Sequence, residues 1–171
     1  MSELEAARDA YLESHHPQTY YGAQAVRKVE EREGALDPIQ RIVVEHEGYV
    51  AGVYKDTKGI ETSGVGQTGK YMDMTFKESY DSHLQDAKRF ITNYDSLNEK
   101  QQMAILSLAY RGDLQQSPTF RKHVNNGEFE KASNELLNHE EYNQLKQQEK
   151  DTGKKSGIIK RLEEASNFIR G

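Results

Sequence analysis

The sequence predicts an α+β fold: a small β-sheet subdomain near the start, a mainly helical subdomain after it, and a helical N-terminal arm in front. Three observations predict it. Between Tyr49 and Thr68, Gly52, Gly59, Gly64 and Gly66 are interleaved with Val50, Val53, Ile60 and Val65, the pattern of short strands and turns. From Thr75 onward apolar residues recur at helical spacing in several separate segments. The first 36 residues are polar and helix-prone, and their apolar positions Leu4, Leu12, Val26 and Val29 are too few for a core of their own. Segregated strands and helices are the α+β arrangement. The expected division is an arm or linker over 1–36 and one domain over 37–171.

Within the arm, Glu3 to Glu13 predicts one helix, His15-His16-Pro17 breaks it, Tyr21 to Glu33 predicts another, and Gly34 punctuates the chain. Asp37-Pro38 is a helix start, a capping carboxylate followed by proline at the first helical position. Ile39, Val43 and Glu47 follow at four-residue spacing with Ile42 beside them, so Glu47 lies at the edge of a buried stripe. Gly48 ends that helix. An irregular sheet or hairpin then occupies Tyr49 to Thr68.

Thr75-Phe76-Lys77-Glu78 is a capping box opening a helix with Phe76, Tyr80, Leu84, Ala87 and Ile91 on one face. Met103 to Tyr110 is apolar nearly all round and predicts the central buried helix. Phe120 to Asn126 and Glu128 to Asn138 read as short helices separated by Gly127, and Lys146 to Lys155 as a charged connection. From Ser156 a last helix carries the stripe Ile158, Leu162, Ala165 and Ile169.

At 171 residues, 35% hydrophobic and 30% charged, the chain has the composition of a soluble protein with a modest core. No apolar run approaches the roughly 18 residues that span a membrane. The start, Met1-Ser2-Glu3-Leu4-Glu5, is acidic and lacks the basic and apolar regions of a signal peptide. There are no cysteines, which excludes disulfides and thiolate metal sites. A net charge of -5 argues against nucleic acid as a partner and offers no long-range attraction to an anionic polymer.

The chemistry concentrates in two carboxylates. Glu47 stands at a helix C-terminus, where the macrodipole disfavours negative charge, and beside apolar neighbours that disfavour ionisation. Both favour keeping its proton. Asp56, nine residues later between Lys55 and Thr57-Lys58, sits in a polar turn that keeps it ionised. One protonated and one ionised carboxyl are what acid/base cleavage of a glycosidic bond requires. Taken singly, Glu47 is more often a solvated helix end and Asp56 a turn former; their joint occurrence inside the glycine frame outweighs that bland reading.

The pattern Glu47-Gly48, Tyr54-Lys55-Asp56, Gly59-Ile60-Glu61-Thr62-Ser63-Gly64-Val65-Gly66-Gln67-Thr68 resembles the catalytic signature of phage lysozymes of the T-even type, glycoside hydrolase family 24. Ser107 to Gly112 resembles that family's central helix, Ser117-Pro118-Thr119-Phe120 its next helix, and Gly157-Ile158-Ile159-Lys160-Arg161 its terminal element. The similarity covers roughly Asp37 to Arg170. It implies a lysozyme-like fold and a muramidase that cleaves the β-1,4 bond between N-acetylmuramic acid and N-acetylglucosamine in bacterial peptidoglycan. Glu47 is implied as the acid, Asp56 as the residue that activates or holds the water, and Thr62 as its positioner, with inversion at the anomeric carbon. Tyr54, Gly66, Arg111 and Ser117 are the candidate substrate-binding positions. No cofactor or metal is implied.

The sequence departs from the family in three places. Arg111 stands where Asn or Gln is frequent, and reads equally as a cleft cation for a peptidoglycan carboxylate or as a surface arginine at a helix end. Arg161 is a loosely aligned candidate for the arginine that the terminal helix brings near the glutamate. The chain is acidic where many members are basic, which fits delivery by other components. His15-His16 lacks further ligands at metal-binding spacing, His46 neighbours Glu47 on a different helix face, and for Tyr49, Tyr54 and Tyr71 packing competes with sugar stacking.

Synthesis in a host bacterial cytoplasm and action on the periplasmic wall follow, with the arm docking a phage virion or other delivery partner. A holin pore, a virion tail and effector secretion stay open as routes. Three rivals stay open too. A lytic transglycosylase keeps Glu47, needs neither Asp56 nor water, and leaves 1,6-anhydro ends. A chitinase-like enzyme changes only the sugar subsites. A silent wall-binding or virion structural module keeps the fold alone, against which intact Glu47, Asp56 and Thr62 count.

Overall fold

The computed structural model describes residues 19–55, 59–154 and 156–171. The chain forms two compact units, the first ending at Ser82 and the second running from His83 to Gly171.

In the first unit the strand β1 (Thr19–Tyr20) leads into helix α1 (Gly22–Glu33), and helix α2 (Pro38–Glu47) runs directly into strand β2 (Tyr49–Lys55). Strands β3 (Glu61–Gly64) and β4 (Gln67–Thr68) follow, and helix α3 (Phe76–Phe90) leaves the unit. The four strands form one antiparallel sheet in the order β1-β2-β3-β4. A register irregularity falls between Val50 and Val53 on β2, where a bulge offsets the pairing with β3.

The predicted helix starts are present with their chemistry. Asp37 and Gln40 form a reciprocal capping box on α2 with Pro38 in the first turn, and Thr75 and Glu78 form another at α3. Burial pushes the Tyr80 hydroxyl above the ordinary tyrosine range, with the Asp37 and Asp81 carboxylates adding to the effect.

The second half of the stretch read as an appended arm is packed into this unit. Thr19 and Tyr20 pair with Val50 and Tyr49 at the edge of the sheet, and Ala25, Val26, Val29 and Leu36 are buried. Four apolar residues do not make a core alone, but Ala25, Val26 and Val29 on one face of α1, with Leu36 in the loop after it, complete a core begun by Val43, Val44 and Tyr49. Glu33 adds a polar tie. Its carboxylate accepts the Phe76 and Lys77 amides at 2.7 and 2.9 Å, while Lys77 Nζ donates to the Glu33 carbonyl at 2.9 Å. The end of α1 therefore caps the start of α3 across 43 residues of sequence. The helix expected over Glu3 to Glu13 and the His15-His16 pair lie outside the described residues.

In the second unit the expected central helix is α4 (Glu99–Arg111), with Ala104, Ile105, Leu106 and Leu108 buried. Short helices α5 (Asp113–Gln116), α6 (Pro118–Asn125) and α7 (Phe129–Leu136) follow, then α8 (Glu140–Thr152) and α9 (Gly157–Arg170). Helix α9 packs on α4 and α7 through Ile159, Leu162, Ala165 and Ile169. Two buried polar ties fix its placement: Gln101 Nε2 donates to the Ile169 carbonyl at 3.0 Å, and Ser166 Oγ donates to the Ser133 carbonyl at 3.1 Å.

Helix α8 corrects the expected charged connection over Lys146 to Lys155. It buries no residue, so no apolar period announces it. Instead it has acidic residues in its first turn, a left-handed Gly153 at its end, and the side-chain pairs Glu140–Gln144, Lys146–Glu149 and Gln147–Asp151. Tyr142 and Lys146 bond Glu163 of α9 at 3.1 and 3.0 Å, tying the helix down through polar groups. Lys155 lies outside the described residues.

Candidate active site

The carboxylate of Glu47 is placed by an abrupt change of backbone. Val43 and Val44 are buried and fix the roll of α2. Gly48 then adopts φ 73° and donates its amide to the Val44 carbonyl at 2.8 Å, ending the helix one residue after Glu47. A Cβ at Gly48 would lie 2.9 Å from the Tyr20 carbonyl, so glycine is required both by its positive φ and by the close passage of β1. Glu47 is half-buried at the junction of α2 and the sheet.

The turn from β3 to β4 passes close to this carboxylate. Gly66 has φ 64°, and a Cβ there would lie 3.4 Å from Glu47 Oε2, so the missing side chain leaves the carboxylate its space. Thr62 is 4% exposed in the middle of β3, paired in register with Tyr54 on β2 and Thr68 on β4. Its Oγ1 donates to the Ile60 carbonyl at 3.1 Å. Tyr54 is half-buried, and the Lys55–Glu61 pair closes the ladder one residue before Asp56. Asp56 itself lies outside the described residues.

Gln67, which sequence reasoning passed over, organises this turn. It is 5% exposed, accepts the Val65 amide at 3.2 Å, and donates to the Tyr71 and Met74 carbonyls at 2.9 and 2.6 Å. A polar residue between the turn glycines and Thr68 is the one signal the sequence held. Glu33 was also missed, and no local signal exists for a cap contributed 43 residues away.

The remaining candidates belong to the second unit. Arg111 is engaged in local ion pairs. Its side chain is 15% exposed, and the guanidinium donates to Asp113 Oδ2 at 2.6 Å and Glu141 Oε2 at 3.4 Å. Two carboxylates already engage the group that an anionic substrate would need. Ser117 is buried at the N-cap of α6 with its Oγ 3.2 Å from His139 Nε2. Arg161 is half-buried on α9.

Of the tyrosines, Tyr49 is a packing residue, stacked on Tyr20 at 6.3 Å with its hydroxyl accepting from Arg32 at 2.9 Å. Tyr71 supplies a backbone carbonyl to Gln67 while Lys70 lies over its ring. Among the described residues no three His, Asp or Glu side chains are grouped to hold a metal ion, and no helix is long and apolar enough to cross a membrane.

A carboxyl at a helix end, a glycine turn beside it and a buried threonine on the adjoining hairpin form an arrangement suited to proton transfer at a bound sugar. Residues 44–164 match the phage lysozyme family, a span containing Glu47, Asp56 and Thr62. Among solved structures, the active form of the P1 phage endolysin Lyz has a similar fold, with a TM-score of 0.56 over 88% of this chain and 94% of that one at 15% identity. No curated protein matches the sequence. The chain belongs to the phage lysozyme family of glycoside hydrolases and has a lysozyme-like α+β fold.

Proposed function

We propose that this lysozyme is a muramidase cleaving the β-1,4 bond between N-acetylmuramic acid and N-acetylglucosamine, with Glu47 as general acid and Asp56 and Thr62 handling the water. The observation that carries the reading is the approach of the Gly66 turn to the Glu47 carboxylate on a hairpin that also carries Thr62. Glu47 delivers its proton to the leaving glycosidic oxygen as the bond to the anomeric carbon breaks. Asp56 takes a proton from the attacking water. Thr62 Oγ1 already spends its hydrogen on the Ile60 carbonyl, so its lone pairs are left to accept from that water and turn its oxygen toward the sugar. A water held between the two carboxyl groups attacks the face opposite the leaving group and inverts the anomeric centre.

Of the substrate-binding positions, Tyr54 and Gly66 flank the hairpin and suit contact with the sugar chain. Ser117 remains a candidate from the second unit. Arg111 fits better as a local structural ion pair. The biological setting we favour is phage lysis or virion entry, with the polar residues ahead of Thr19 engaging the delivery partner.

The test is to digest purified sacculi, reduce the products with borohydride and identify the sugar alcohol. Muramitol is expected. Glucosaminitol in its place would assign the cut to the other linkage and overturn the muramidase reading.

A further inference from the structure

We infer that Gln67 is a positioning residue for the reaction, its amide setting the separation between the Gly64–Gln67 turn and the Glu47 carboxylate. The inference rests on Glu47 being the acid. A primary amide offers one carbonyl oxygen and two N–H hydrogens, and Gln67 uses all three: the oxygen takes the Val65 amide, and the two hydrogens go to the carbonyls of Tyr71 and Met74. These partners lie on three different pieces of backbone. Val65 is fully buried and anchors the turn to the core. Tyr71 closes a 3₁₀ turn, and Met74 immediately precedes the capping box of α3. The amide thus ties the turn to two fixed points at once, which an apolar side chain of the same size cannot do, because packing alone sets no direction.

Gly64 and Gly66 complete the device. A Cβ at Gly64 would collide with Gln67 Oε1, so glycine there lets the amide fold back over its own turn. Gly66 lies between the two tethered residues Val65 and Gln67 and is the point at which the turn meets Glu47. A shift of this turn inward presses on the carboxylate, and a shift outward admits water around it. Either displaces the proton from the line to the leaving oxygen, and misplacement by about 1 Å is enough to cost roughly 100-fold in rate.

The test compares wild type, Gln67→Met, Gln67→Glu, Gly66→Ala and Glu47→Gln on sacculi, measuring kcat and KM separately and kcat/KM across pH. Gln67→Met keeps the length and removes all three bonds. Gln67→Glu keeps the shape and removes both donors. Both are expected to lose about 10- to 100-fold in kcat with KM changed by less than about threefold, and to displace the alkaline limb of the pH profile. Gly66→Ala, which leaves Gln67 unaltered, is expected to displace the same limb. A folded Gln67→Met with wild-type kcat and pH limb overturns the inference. Should Gln67→Met fail to fold, Gln67→Glu decides, and a native kcat and pH limb there overturns it. An active Glu47→Gln refutes the acid assignment; an inactive one beside a native Gln67→Met refutes only the role of Gln67.

Discussion

Glu47→Gln is expected to leave a folded protein in which cleavage of peptidoglycan has fallen by about 10²- to 10⁴-fold, the usual contribution of a positioned general acid. The substitution preserves length and shape, so Val43 and Val44 still seat α2 and the Gly48 turn still ends it. What disappears is a transferable proton at the helix end. Thermal unfolding and muropeptide release, measured on the same preparation, separate the two effects. Near-native unfolding with lost turnover supports the assignment. Unchanged turnover means that the residue beside Gly66 is a bystander.

The second large effect concerns residues 1–36. Their removal is expected to collapse the first unit rather than free an accessory segment. Val26, Val29 and Leu36 are buried, and at about 1.5–3 kcal/mol for each large apolar side chain their loss amounts to roughly 5–9 kcal/mol. A domain of this size has only about 5–15 kcal/mol in total. The strand pairing of Thr19 and Tyr20 and the Glu33 cap on α3 go with them. A milder version isolates the cap: Glu33→Ala strands the Phe76 and Lys77 amides and is expected to cost about 0.5–2 kcal/mol, the range of lost helix caps. Removal of residues 1–18 alone tests the delivery role separately, since it keeps the pairing of Thr19 and Tyr20 and all of α1. A truncation lacking 1–36 that unfolds at the wild-type temperature would show the contacts of α1 to be dispensable.

The contrast between α1 and α8 shows what was legible. The helices with an apolar stripe and a local start signal, α2, α3 and α9, could be read from spacing, and α4 from its nearly all-apolar centre, because burial and capping chemistry leave marks within a few residues. The sheet was legible from its glycines, whose positive φ values the turns need. Helix α1 was legible as a helix but not as part of the core, because Val26 and Val29 become meaningful only beside Val43 and Val44. Helix α8 was illegible to an apolar-period reading because it is held by Glu, Gln and Lys pairs and by Glu163. At the site, Glu47 and its glycine frame stood out, since the helix end and the turn are both local features. The Gln67 network was hidden because its Tyr71 and Met74 partners are backbone carbonyls, which carry no sequence identity. The ion pairing of Arg111 was illegible because Glu141, one of its two carboxylates, comes from a helix the sequence did not announce.

The most direct test of the central claim, hydrolysis with Glu47 as acid, is digestion of sacculi in ¹⁸O-labelled water followed by mass spectrometry of the glycan ends. Wild type is expected to give reducing muramic acid ends carrying one ¹⁸O from the attacking water, and Glu47→Gln to give almost none. Ends lighter by one water and free of label, the 1,6-anhydro product, would show that no water attacks and would contradict the roles given to Asp56 and Thr62.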